Sequence, residues 1–422
     1  MEALFSLSIA LIAGLIMSRV AKVMQLPAVT AYLVAGILVG PYVLGQIGVH
    51  GLGFISTDNV KQYDIFSNVA LGFIAFDIGN EFRLKQLKQI GKQATVVAFT
   101  QALSATVLVD VIMIGLHFAM PNVVTMPMAL ILGAIATATA PAATLMVVRQ
   151  YKADGPLTRI LLPIVALDDA IGLVVFAISS GVARAFISGS LDITSILVEP
   201  LIEVILSLLL GSVMGWLLTI AEKYFESNSK RLSVVITFVL LTVALAMVEF
   251  DVGGIHIGFS SLLVCMMLGT IFCNICHFSE DMMARADKWT APLFILFFVL
   301  SGAELELSVF QNLAIVGIGV IYIIARSIGK WTGAYFGSKL MKCGEMIHKY
   351  LGITLLPQAG VALGMSMTVT QTMGEHGRII RNITLFSVLI YELVGPTLTK
   401  IALTKAGEIS PKPAIVKTPN KK

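Results

Sequence analysis

Ile164-Val-Ala-Leu-Asp168-Asp169-Ala-Ile-Gly-Leu-Val-Val-Phe176 sets two adjacent aspartates in the middle of an apolar run. At the centre of a bilayer a charged side chain costs about 2.5–3.5 kcal/mol on insertion scales. A second carboxylate beside it adds like-charge repulsion. Packing needs neither group, so the pair points to the handling of cations or protons.

The rest of the chain agrees with a membrane setting. Of 422 residues, 57% are hydrophobic and 13% charged, and long apolar runs recur from end to end. This composition predicts an all-α polytopic membrane protein. A hydropathy pass places about 13 transmembrane helices, each near the ~20 residues a bilayer needs. They centre near Ile12, Val34, Ala70, Val107, Ala138, Gly172, Leu209, Leu240, Leu263, Phe297, Ile321, Leu363 and Ile390. The first run, Leu4 to Met17, has no basic residue before it and is read as a span, not a cleaved leader. Basic residues follow the odd-numbered spans, for example Arg19 and Lys22, Arg149 and Lys152, and Lys339 and Lys342. The positive-inside rule then puts the N-terminus outside and the C-terminus in the cytoplasm. The net charge of +4 bears on this topology and implies no nucleic-acid partner. Cys273-Asn-Ile-Cys276-His277 matches a haem-attachment pattern, but it falls on the cytoplasmic side, where that attachment does not occur. No cofactor, no divalent metal site and no catalytic residue is expected.

The two halves repeat. The third span ends Gly79-Asn-Glu81-Phe-Arg-Leu84 and the tenth ends Gly302-Ala-Glu304-Leu-Glu-Leu307. The copies are offset by seven spans, an odd number, so they face opposite sides: an inverted 6+1+6 repeat. The fifth span of each half is also interrupted. One break is Ala136-Thr137-Ala-Thr139-Ala-Pro141; the other is Leu356-Pro357-Gln358-Ala-Gly360. Proline removes a backbone donor and clashes with the preceding turn. Paired interruptions at matching places mark a transporter's binding site.

Asp168 and Asp169 lie in the span that follows the first break. Helix neighbours point about 100° apart, so one carboxylate can face an aqueous cavity and the other a partner helix. Carboxylate oxygens are hard ligands suited to Na⁺, Li⁺ or H⁺. The eleventh span offers counter-charges four residues apart, Arg326 and Lys330, with glycines at 329, 333 and 337 that let a helix approach closely. The natural partner of Lys330 is one of the two aspartates, unless it snorkels to the cytoplasmic face. Arg326 either snorkels or forms a structural ion pair with Glu392 in the last span. Asp77, Asp110 and Glu203 read as structural. Neither an intramembrane aspartyl protease nor a prenyltransferase fits, since their acids lie on separate helices or include a further aspartate one turn on. A passive channel needs no titratable pair with a lysine beside it.

The Ala-Leu-Asp168-Asp169 motif after an Ala-Thr-Ala-Pro break, with a glycine-spaced helix carrying Lys330, resembles the monovalent cation:proton antiporter family. The likeness is to its NapA-like and NhaA-like members and runs from the first span to about Thr404. Asp-Asp departs from the Asn-Asp of members regarded as electroneutral. It departs also from the Gln-Asp of Kef-type potassium systems, and the tail, Gly407–Lys422, lacks their nucleotide-binding domain. The resemblance implies an NhaA-like fold in which two broken helices cross. Asp169 would be the main ion- and proton-binding carboxylate, Thr139 would lend oxygen ligands, and Asp168 would pair with Lys330 when no cation is bound. Scaffold and dimerisation spans would occupy 1–93 and 226–309. Core ion-binding spans would occupy 94–190 and 310–404, with a connector at 191–225 and a cytoplasmic tail at 405–422. The implied activity is antiport of Na⁺ or Li⁺ for H⁺ in the inner membrane. It would be electrogenic, with elevator-type access in a homodimer. A K⁺/H⁺ antiporter or a Na⁺-coupled organic anion symporter of the same fold are the alternatives.

Overall fold

The structure is a computed structural model. It describes residues 2–24, 26–48, 53–84, 91–140, 144, 147–148, 151–189, 198–248, 250–252, 255–306 and 312–409. The helices are α1 (Glu2–Met24), α2 (Ala28–Val39), α3 (Thr57–Lys61), α4 (Asp64–Glu81), α5 (Lys92–Ala119), α6 (Met126–Ile135) and α7 (Pro156–Ser188). They continue with α8 (Glu199–Glu222), α9 (Asn228–Ala246), α10 (Ser261–Ile275), α11 (Ser279–Ala303), α12 (Leu313–Leu340), α13 (Glu345–Thr354) and α14 (Gly360–Lys405). A hairpin of two short strands, Phe250–Val252 and Ile255–Ile257, joins α9 to α10.

Among the described residues, nine helices are long and apolar enough to cross a membrane. The difference from about thirteen has physical causes. A helix broken at mid-membrane leaves short pieces, and α6 and α13 have 10 residues each. Helix α10 has 15 residues, while α4 carries Asp64, Asp77 and Glu81 within 18. The 46 residues of α14 contain a kink at Gly374, whose φ of 55° suits glycine alone.

Two groups of helices pack separately. In the first, α5 lies against α6, α7 and α12, and α12 also meets α13 and α14. In the second, α2 lies between α1 and α11, and α4 between α10 and α11, with α8 against α10. Small residues set both groupings, because lipid gives no hydrophobic drive for helices to pair. A Cβ added at Gly333 would fall 2.5 Å from the Gln101 Cα, and one at Gly329 2.7 Å from the Ala105 Cα. The backbones of α12 and α5 therefore touch. In the second group, Gly79 meets the Met266 carbonyl and Gly269 the Phe76 carbonyl. Gly302 and Gly36 meet the Leu33 and Val299 carbonyls in the same reciprocal way.

Candidate ion-binding site

The two breaks meet inside the first group. After Ile135 and after Thr354 the chain leaves the helix, and the two extended stretches pass each other. Ala140 N–H donates to the Pro357 carbonyl at 2.8 Å. The Gln358 amide donates to the Ile135 carbonyl at 2.9 Å and to the Tyr322 hydroxyl at 3.2 Å. A helix that stops in a membrane leaves carbonyls unpaired at its negative end. Where such ends are buried in protein, side-chain donors must meet them.

Helix α12 supplies two cations for this purpose. Arg326 donates to the carbonyls of Ala136 at 3.0 Å, Ala138 at 2.6 Å and Leu356 at 2.7 Å. Its guanidinium also lies 4.5 Å from the Tyr391 ring centre. One side chain thus closes the ends of both broken helices. This corrects the expected ion pair with Glu392. The planar fork is fully engaged with backbone oxygens, and Glu392 instead accepts from the Thr30 hydroxyl at 3.4 Å on α2.

Lys330 sits one turn further on and has no exposure. Its ammonium donates to the Thr137 carbonyl at 2.5 Å, the Thr139 hydroxyl at 2.7 Å and Asp168 Oδ2 at 2.6 Å. All three ammonium protons are used. Asp168 is fully buried and also accepts from the Gln101 amide and the Thr139 hydroxyl. A buried carboxylate is tolerated when its oxygens are paired in this way.

Asp169 is 3% exposed and turns elsewhere. It lines a cavity of about 450 Å³ between the two groups of helices. Ala140 and Gly360 reach the cavity from the breaks, and Asp77, Tyr32 and Phe298 from α4, α2 and α11. The adjacent aspartates are therefore splayed, one onto an ammonium and one onto the cavity wall. The other motif residues support this frame. Thr137 contributes its carbonyl to Lys330, while its hydroxyl is turned back on Ala134 O at 2.6 Å. Pro141 lies outside the described residues. Two contributors escaped the sequence reading. Gln101 is a lone amide in an apolar span, and that isolation was the available signal. Asp77, which the sequence alone marks as structural, shares the cavity with Asp169.

Transporters build ion and substrate sites from paired broken helices of this kind. A family model described as "Sodium/hydrogen exchanger, transmembrane" matches residues 7–405. The chain belongs to that family, the monovalent cation:proton antiporters. Cation/H(+) antiporter 17 of Arabidopsis thaliana is 25% identical over 328 residues, 75% of this chain. The chain covers only 38% of that plant protein's length. The ammonium/H(+) antiporter subunit AmhT of Alkalihalophilus pseudofirmus is 24% identical over 363 residues, 83% of each chain. The Na(+)/H(+) antiporter NhaS4 of Synechocystis is 22% identical, covering 82% of this chain and 83% of that one. The fold is that of the sodium proton antiporter MjNhaP1 from Methanocaldococcus jannaschii, with a TM-score of 0.73 at 20% identity over 96% of this chain and 99% of that one.

Proposed function

We propose that the protein exchanges Na⁺ or Li⁺ for H⁺ across the cytoplasmic membrane, electrogenically and by elevator-type movement. The observation that carries this reading is the splayed pair: Asp168 on Lys330, Asp169 in the cavity. A cation entering the cavity competes with a proton for Asp169. It also competes with Lys330 for the oxygens of Asp168 and Thr139. An ammonium that loses its carboxylate in a dry setting is driven to shed a proton. Two protons then leave for one cation bound, so each cycle moves one net charge. The membrane potential contributes about 2.3 kcal/mol per 100 mV to that charge.

The helix packing supports a division into moving core (α5–α7 and α12–α14) and scaffold (α1–α4 and α9–α11), with α8 as connector. The cavity lies on the seam, towards the Asp77 end of α4. At the other end of α4 the seam is bridged by ion pairs, Arg381 to Glu304 at 2.6 Å and Arg378 to Glu306 at 2.5 Å. With about thirteen spans and the N-terminus outside, this conformation is open to the cytoplasm and latched outside. The reciprocal glycine pairs, Gly79 with Gly269 and Gly302 with Gly36, are the contacts an inverted 6+1+6 repeat requires of its second, third, ninth and tenth spans. The scaffold is also the place for a homodimer interface.

The experiment is proton flux in proteoliposomes with an imposed pH gradient, adding Na⁺, Li⁺, K⁺ and NH₄⁺ in turn. Na⁺ and Li⁺ are expected to release the gradient, and Asp169→Asn to abolish the response. The relatives named for ammonium and for unspecified cations make K⁺ or NH₄⁺ the second reading. No response to any cation would end both.

A further inference from the structure

Glu392 has no part in the site above. It lies near the middle of the part of α14 that follows the Gly374 kink, is 1% exposed, and faces Thr30 of α2 across the boundary between the two helix groups. Its Oε2 has the Thr30 hydroxyl at 3.4 Å, and its Oε1 is buried without a hydrogen-bond partner among the described residues.

Among the described residues, none of the ion pairs includes it. On α12, Arg326 is engaged with three carbonyls and Lys330 with Asp168. On α14 itself, Arg381 pairs with Glu304 and Lys400 lies over the Tyr151 ring at 4.6 Å. Tyr32 is the titratable side chain of α2, and α6 has none. Helices α4, α7 and α11 carry the acids Asp64 and Asp77, Asp168 and Asp169, and Glu280, Asp281 and Asp287; of their cations, Arg159 pairs with Asp154, Arg184 with Glu203 and Arg285 with Asp281, and Lys288 lies in the first half of α11. On α13 the charged groups Glu345 and Lys349 pair with each other at the surface. An ionised carboxylate with one weak donor and no counter-charge is the costliest arrangement a membrane interior can hold. A neutral acid accepting from Thr30 fits the same geometry.

Its position gives that proton a use. The two oxygens sit on a seam that must shear if core and scaffold move past each other, a movement taken from the proposed function. We infer that Glu392 is a second proton-carrying carboxyl of the exchange cycle, neutral while α14 is in its present register with α2 and ionising when that register is lost. Sliding removes Thr30 and brings water or the cavity to the carboxyl. The O–H bond then breaks, the proton passes to water, and the electron pair stays on the carboxylate. Return to the present register takes a proton back. This sets the pH dependence of the cycle separately from cation binding at Asp169.

The test pairs infrared difference spectra of the reconstituted full chain, taken across pH, with Na⁺-driven proton flux. The expected result is a protonated-carboxyl carbonyl band that fades as pH rises. The band persists in Asp169→Asn and is missing in Glu392→Gln. The amide is isosteric with the neutral acid and keeps the Thr30 contact, so a packing role alone would leave the flux unchanged. Instead, Glu392→Gln is expected to retain exchange but lose one limb of its pH profile. Thr30→Val, which removes the donor, is expected to move that limb by about one pH unit to the alkaline side. A Glu392→Gln protein with the wild-type band and profile overturns the inference. Should that variant fail to fold, a limb unmoved by Thr30→Val overturns it equally. Absence of Na⁺-driven flux in the wild type would instead defeat the exchanger reading, while the band still reports on Glu392.

Discussion

Lys330→Gln is the substitution with the most specific consequence. It removes an ammonium that has no exposure and makes three hydrogen bonds, one to Asp168 at 2.6 Å. Removing one member of a buried ion pair costs about 3–5 kcal/mol, because the remaining charge is left uncompensated. Asp168 can escape that cost by taking up a proton, keeping its contacts with Gln101 and Thr139. The fold survives at reduced stability, and Asp169 still exchanges its proton for a cation. What disappears is the second proton, and with it the net charge per cycle. For the wild type, a potential of 100 mV supplies about 2.3 kcal/mol, or roughly 50-fold in the limiting Na⁺ gradient. For Lys330→Gln the same potential supplies nothing. The assay is Na⁺ accumulation in proteoliposomes clamped at zero and at 100 mV, inside negative and inside positive. A variant whose Na⁺ gradient still follows the potential would refute the assignment of Lys330 as the second proton carrier.

Other outcomes follow from the same geometry. Gly333→Ala drives a methyl into the Gln101 backbone and is expected to lower stability by about 1–3 kcal/mol in thermal melts, whereas Gly317→Ala, which meets open space within α12, is expected not to lower it. Gln101→Leu strips one donor from Asp168 and is expected to lower stability by about 1.5–3 kcal/mol while leaving the dependence on potential in place. Glu304→Gln weakens the buried pair with Arg381. It is expected to raise labelling, by a membrane-impermeant thiol reagent added outside, of a cysteine placed at Gln371, and unchanged labelling would count against the outer latch.

The legible features were those in which a residue type defies its surroundings. Acids and a lysine in apolar runs announce themselves, as do Pro141 and Pro357 within spans. The less legible features depend on backbone atoms, which carry no letter. Charge pairing or snorkelling is all that sequence offers for Arg326, yet its partners are carbonyls left unpaired where two helices stop. The broken spans were legible as apolar runs carrying a proline, whereas their helical pieces, such as α6 and α13, have only 10 residues each. Gln101 and Thr30 look like ordinary polar residues until the opposing helix is placed. The cavity position of Asp77 depends on two helix groups meeting, which no local pattern encodes.

The most direct test of the central claim is proton release from the purified protein. Na⁺ added to a weakly buffered solution of the wild type should liberate protons in a saturable way, and Asp169→Asn should liberate none on that curve. Equal release from both proteins, or none from the wild type, would contradict a cation and a proton competing for Asp169.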